Sequence, residues 1–276
     1  MENDVMEEQL VPQAEKEPIN FRWVFNRILP FISIGAFIAV WLYASSVNSR
    51  MVPSPAATWA RLVELFTTPV GKQNLFGHIF LSLKRVFTAL FAAMVLGISI
   101  GVMIGWNRTF RATIGTLFEI LRPIPPLAWL PVIIMGFGIG ELPKVLIVFI
   151  GAFMPLVINA YTGIRLVEPL HLDVAKSFNA TNSQLLFEVA IPSALPAIFA
   201  GIRNATSSAW MTLLAAEMIA SKVGLGFLIQ RGMDYFDVPL ILVGMLTIGI
   251  VGSLLAVLTN WIERLIIPWY QKLKQD

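Results

Sequence analysis

Asp173-Val174-Ala175-Lys176-Ser177-Phe178-Asn179-Ala180, followed at fixed distance by Val189, Ile191 and Pro192, is a polar loop caught between two membrane-length apolar runs. One run lies before it, near Val145 to Ile164, and one after it, near Leu195 to Ala220. A hydrocarbon core takes roughly 20 residues of α-helix to cross. Charged residues between two such runs therefore mark a connection at the membrane surface, and Pro169 and Pro192 frame it at helix boundaries.

Outward from that loop the whole chain reads the same way. Its 276 residues are 57% hydrophobic and only 13% charged, with a mean hydropathy of +0.74, far from the balance of soluble domains. Further apolar runs lie near Ile28 to Val47, Val86 to Trp106, Thr113 to Phe137 and Val238 to Ile262, which makes six in all. The fold class is an all-α membrane protein with six transmembrane helices. With no Cys, disulfides, iron–sulfur clusters and thiolate metal sites are excluded, and His78 and His171 are too isolated to form a metal pair. A net charge of +3 spread thinly along loops is a topological pattern and argues against nucleic-acid binding. The stretch before the first apolar run is acidic and polar, without the basic start or small-residue cleavage site of a signal peptide. The first run is expected to be a retained anchor, and the tail disordered.

Within the membrane several features stand out. Pro53-Ser54-Pro55 introduces Thr58, Trp59, Leu62, Val63, Leu65 and Phe66, with Arg61 and Glu64 on the other side. This is an amphipathic helix, either at the outer interface or packed in the outer loop. Gly97, Gly101 and Gly105 form a small-xxx-small row for close approach of another helix, within the chain or in a second copy. Arg122-Pro123-Ile124-Pro125-Pro126-Leu127-Ala128-Trp129-Leu130-Pro131 cannot be a straight helix, because each interior Pro removes a hydrogen bond and clashes with the preceding turn. Two readings fit it. In one the break opens a translocation pathway at Arg122, Pro125, Pro126 and Trp129; in the other it is a packed kink with Arg122 bridged to Glu119. The fifth run holds Arg203, Trp210 and Glu217, where ionisable groups must face protein or water. Arg203 is expected to snorkel to the near surface or pair with the loop. Trp210 and Glu217 are pathway candidates, with a structural ion pair the alternative for Glu217.

Transport needs an energy source, yet Gly71-Lys72-Gln73 is the nearest approach to a phosphate-binding loop. It lacks the following Ser or Thr, and Phe66 stands at the upstream Gly position, so the chain cannot hydrolyse ATP. The loop quoted above resembles the EAA loop of ABC importer permeases, whose pattern is Glu-Ala-Ala, three variable residues, Gly, nine residues, then Ile-x-Leu-Pro. Asp173 stands for Glu, Val174 for the first Ala, Asn179 for the Gly, and Val189 and Ile191 for Ile and Leu, while Ala175 and Pro192 are retained. The Gly position is a turn between two short helices that needs positive φ, and Asn is the non-glycine residue that tolerates it best. Leu121 to Pro131, Phe137-Gly138-Ile139-Gly140-Glu141, Gly201-Ile202-Arg203, Trp210, Ala215-Ala216-Glu217-Met218 and Gly224-Leu225-Gly226 are similar to the nitrate/sulfonate/taurine/bicarbonate branch of those permeases.

The resemblance implies a type I ABC importer permease with a cytoplasmic coupling helix that docks on ATPase subunits. The coupling residues are then Asp173, Val174, Ala175, Lys176, Phe178, Asn179, Ala180, Leu185 and Pro192, with Leu172, Leu186 and Phe187 as further apolar anchors. It implies no cofactor on this chain, with ATP and Mg bound by partner ATP-binding subunits. The other partners are a second permease copy in a homodimer, an external substrate-binding protein and membrane lipids. The location is the inner (plasma) membrane, multi-pass, with both termini cytoplasmic. The expected segments are residues 1–21 as an acidic tail, 22–82 as the first transmembrane helix and outer segment, 83–265 as the permease domain, and 266–276 as a C-terminal tail. The expected cargo is a small anion: nitrate, taurine or another sulfonate, or bicarbonate. Alternatives are import of a vitamin or pyrimidine precursor by the same architecture, or a secondary transporter. An intramembrane enzyme using Glu119, Arg122, Arg203 and Glu217 lacks any nucleophile–base pair.

Overall fold

The computed structural model describes residues 21–49 and 51–269, with the side chains of residues 21–27 left aside. Residues 1–20 of the expected acidic tail and 270–276 of the expected C-terminal tail lie outside the described residues. The described residues form ten helices, counting continuous helices as one: α1 (Phe21–Val47), α2 (Pro55–Thr67), α3 (Leu75–Trp106), α4 (Arg108–Leu121), α5 (Pro126–Phe137), α6 (Glu141–Arg165), α7 (Pro169–Ser177), α8 (Asn182–Ala220), α9 (Leu225–Asp234) and α10 (Val238–Ile266). Five are long and apolar enough to span a membrane, and α4 with α5 makes a sixth span broken by a bend of 88°. The chain divides into two units at Pro55.

The first unit is α1, whose stretch Ile28–Val47 is membrane-length and carries exposed Phe31, Phe37 and Tyr43. An apolar surface of this kind is what a helix facing lipid requires. After α1 the chain turns back on itself, where the indole of Trp41 donates to the Pro53 carbonyl at 3.0 Å.

The second unit is built around α3, α6 and α8. Gly97, Gly101 and Gly105 lie against α6, and a Cβ on Gly101 would stand 2.6 Å from the Val157 carbonyl. The glycine row is thus an intrachain contact, used where lipid gives no hydrophobic drive and packing depends on close approach. Helix α3 starts at Leu75, well before the expected Val86, because the Asn74 side chain caps it by accepting from Gly77 N at 2.9 Å. Arg85 lies about 32 Å from Trp106 at 1.5 Å per residue, at the edge of a ~30 Å core. Hydropathy sees that charge as an end; the backbone continues past it.

The break in the third span follows from its prolines. Pro125 has φ −58° and ψ 138°, and Pro126 opens α5 with one 3-10 turn, Pro126–Trp129. Prolines are compatible with such an extended link and with a first turn, and incompatible with a helix interior. Helix α2 buries Leu65 and leaves Trp59 and Val63 exposed, while Arg61 pairs with Asp237 at 2.6 Å and Glu64 at 2.7 Å. It is a packed helix with an apolar outer face, so each of its two readings describes one side.

Candidate functional site

The loop between α6 and α8 is a rigid helical hairpin. Glu168 is extended, Pro169 occupies the first turn of α7, and Ser177 Oγ donates back to the Asp173 carbonyl at 3.0 Å. Asn179 then adopts φ 59°, the left-handed conformation its residue type suggests. Its N–H donates to the Lys176 carbonyl at 2.8 Å, and the Ala180 N–H to the Ala175 carbonyl at 3.2 Å, closing the end of α7. Thr181 starts α8 with a capping box: Gln184 Oε1 accepts from Thr181 N at 2.9 Å, and Thr181 Oγ1 accepts from Gln184 N.

The loop's apolar residues divide into two sets. Leu185 is buried, and Leu172 and Leu186 are half-buried against Val102, Ala160, Ile164 and Ala194. They hold the loop to the bundle and do not face outward as partner contacts. Phe178 is 82% exposed and Phe187 65% exposed, with Leu170 and Val174 also outside. Asp173 and Lys176 are exposed and pair with each other at 2.9 Å, while Ala175, Ala180 and Pro192 are half-buried. Between Leu185 and Ala190 the helix takes a π turn, which no sequence feature announced.

At the broken span, Arg122 stands at the end of α4, about half exposed, with Glu119 3.6 Å away. The two line a cavity of about 270 Å³ with Arg111, Thr116, Tyr161 and Thr162. Arg111 is committed to the end of α3, donating to the Ile104 and Gly105 carbonyls at 3.0 and 2.6 Å. The break and the Arg122–Glu119 pair therefore coexist, with a cavity of mixed polar and apolar lining beside them. Pro125 is exposed and Pro126 half-buried. Trp129 packs near Leu130, Ile147 and Ala216, with its indole nitrogen buried and unpartnered among the described residues.

Glu217 lies at the other end of the bundle and is fully buried. Its Oε1 accepts from Arg85 at 2.6 Å and from Ser82 at 2.8 Å, and its Oε2 accepts from Gly226 N at 3.0 Å. Arg85 also grips Glu141 through two bonds of 2.6 and 2.8 Å and donates to the Val223 carbonyl, and Lys144 bonds Glu141 at 2.7 Å. The charges of Arg85, Lys144, Glu141 and Glu217 cancel. Glycine is needed at Gly224, where φ is 126° and a Cβ would strike the Glu217 carboxylate. In this conformation Glu217 has the ion-pair role and no route to a passing solute.

Arg85 falls just outside the apolar run expected from Val86, and the structure places it inside α3. The available signal was that two carboxylates in apolar surroundings, Glu141 and Glu217, needed a cation. Arg203 corrects a second expectation, since it pairs neither with the loop nor with the surface but with Glu263 of α10. Trp210 is buried and lines a separate cavity between α8 and α10. Among the described residues no cluster of His, Asp or Glu is arranged to hold a metal.

Residues 93–272 match the family model described as binding-protein-dependent transport system inner membrane component. The chain is 32% identical over 259 residues to the taurine transport system permease protein TauC of Escherichia coli, covering 91% of this chain and 94% of that one. It is 32% identical over 268 residues to the nitrate import permease protein NrtB of Synechocystis, covering 95% and 98%. To the bicarbonate transport system permease protein CmpB of Synechococcus elongatus it is 34% identical over 248 residues, covering 87% and 89%. Among solved structures, the inward-facing MetNI methionine ABC transporter is similar in fold, with a TM-score of 0.63 at 19% identity over 70% of this chain and 95% of that one.

Proposed function

Because the chain belongs to the family of binding-protein-dependent transport system inner membrane components and is a permease subunit of an ABC transporter, not an ATPase, we propose that it forms half of the path of an importer for a small anion. The observation that carries the reading is the loop hairpin, where Phe178 and Phe187 are exposed on a scaffold with no slack. Exposed aromatic side chains on a rigid helix suit an apolar groove on a soluble partner.

In this reading α7 docks on a separate ATP-binding subunit, where ATP and Mg remain, and both chain termini are cytoplasmic in the inner membrane. Movement of the partner passes through the capped turn at Thr181 into α8, because Leu172 and Leu186 tie the hairpin to the bundle. Residues 83–265 form the permease domain, a second copy completes the path, and an external binding protein delivers the cargo. Arg122, beside the break at Pro125 and Pro126, attracts the anion, with Trp129 at the break and Trp210 in the cavity between α8 and α10 as further residues of the path. Nitrate, taurine or another sulfonate, and bicarbonate share that chemistry. Half-exposed Arg122 binds weakly enough to release.

The test is reconstitution with the ATP-binding subunits. Joint Phe178→Ala and Phe187→Ala replacement should lower co-elution of the ATPases at least ~30-fold in apparent affinity, the scale of a hot-spot loss of about 2 kcal/mol. Arg122→Gln should lower anion uptake and leave co-elution intact. Co-elution indifferent to both Phe replacements, or uptake driven by an ion gradient without ATP, would sink the proposal.

A further inference from the structure

The cavity between α8 and α10, about 250 Å³, contains neither the loop nor the broken span. Trp210 lies two turns, about 10 Å at 1.5 Å per residue, inside the level of Glu217, and Arg203 lies two turns deeper. Trp210 sits inside the span, while Arg203 lies towards its other end, at the level of Glu263 just past the apolar run that closes at Ile262, and polar side chains at either depth need protein or water partners.

The cavity wall is mostly apolar, with Met211, Leu255 and Ala256, and hydrogen-bond donors stand out among its few polar groups. Trp210 is only 7% exposed, yet its indole N–H has no partner among the described residues and faces the cavity wall at Gly252. A Cβ on Gly252 would stand 2.8 Å from that nitrogen, so the glycine keeps the donor reachable. Arg203 uses Nη1 on Glu263, leaving Nε and Nη2 without partners among the described residues. Ser207 and Asn260 line the same space and are exposed. The hydroxyl protons of Thr206 and Thr259, by contrast, are spent on the Ile202 and Leu255 carbonyls at 2.8 Å each.

We propose that this cavity is a second binding station for a small oxyanion, held by Trp210, Arg203, Ser207 and Asn260 and separate from Arg122. Nitrate, bicarbonate and a sulfonate each present several acceptor oxygens and no more than a few donors, which matches the free donors of Trp210, Arg203, Ser207 and Asn260. Because Glu263 balances the Arg203 charge, the site holds its guest through hydrogen bonds with little net Coulomb attraction. That is the weak grip a multi-site path requires. The station rests on the anion-import reading for its biological role, though not for its chemistry.

The chain has no Cys, so Ser207→Cys places a single thiol in the cavity. The transporter, reconstituted with its ATP-binding subunits, is treated with an anionic water-soluble methanethiosulfonate, and modification of the permease is read by mass spectrometry. Nitrate, bicarbonate and taurine are the protecting probes. At least one should slow labelling about tenfold. In Trp210→Phe, which keeps the ring and loses the donor, the concentration needed for protection should rise about tenfold or more, the scale of one hydrogen bond to a charged group. Labelling that none of the three slows, or protection unchanged by Trp210→Phe in a protein that elutes normally, overturns the station. Protection without ATP-driven uptake of any probe keeps the station and refutes the import reading; uptake without protection does the reverse.

Discussion

Arg85→Met should be the most damaging single change at the end of the bundle away from the loop. Arg85 is 2% exposed and Glu217 fully buried, so removing the guanidinium leaves a carboxylate with only the Ser82 hydroxyl and the Gly226 N–H. Stranding one partner of a buried pair costs about 3–5 kcal/mol. Glu141 loses the same cation, but its side chain is 62% exposed and keeps Lys144 at 2.7 Å. That loss is on the scale of a surface pair, about 0–1 kcal/mol. Glu217 therefore decides the outcome. At ~2–4 °C per kcal/mol for a chain of this size, the thermal midpoint of the purified protein in detergent should fall by about 6–20 °C. Combining Arg85→Met with Glu217→Gln removes both charges and keeps a hydrogen-bonding side chain, so most of the loss should be recovered. A single variant within ~2 °C of wild type, or a double variant that loses the sum of both singles, would refute the reasoning.

Asn179→Gly should leave ATPase co-purification unchanged, because φ 59° suits glycine. Asn179→Val should weaken it several-fold, since a β-branched residue in the left-handed region costs roughly 1–2 kcal/mol and loosens the end of α7. Gly101→Val should lower thermal stability by about 1–3 kcal/mol, because the new side chain meets the α6 backbone at Val157. Gly249→Val, with nothing within 4 Å of its Cβ, is the control and should leave the same midpoint in place.

What could be read in the sequence and what could not divide along the range of the interactions. Pro123, Pro125 and Pro126 act on their own backbone, so the break was visible without knowing any neighbour. Asn179 marks a local need for positive φ, and the row Gly97, Gly101, Gly105 advertises a close contact though not its partner. The ion pairs were out of reach. Arg85 and Glu217 are 132 positions apart and Arg203 and Glu263 60 apart, and only the packing of helices distant in sequence brings them together. For the loop, residue type alone could not separate Leu185, turned into the bundle, from Phe178 and Phe187, turned out. For Leu185 and Phe187 that division depends on the phase of a helix passing through a π turn, which hydrophobic periodicity does not register, while Phe178 stands outside at the end of α7.

The buried pair also has a consequence for how the chain is made. Arg85 enters the membrane with α3 long before Glu217 is synthesised, so the cation has no counterion until α6 brings Glu141 and is enclosed only when α8 brings Glu217. Its place at the edge of the core makes this tolerable, since a long side chain at that depth can hold its head in the interface until α8 arrives. Closing the Arg85–Glu217 contact then serves as a late checkpoint of assembly. A chain whose fifth span inserts in the wrong register leaves Glu217 without its cation, while Arg85 keeps Glu141.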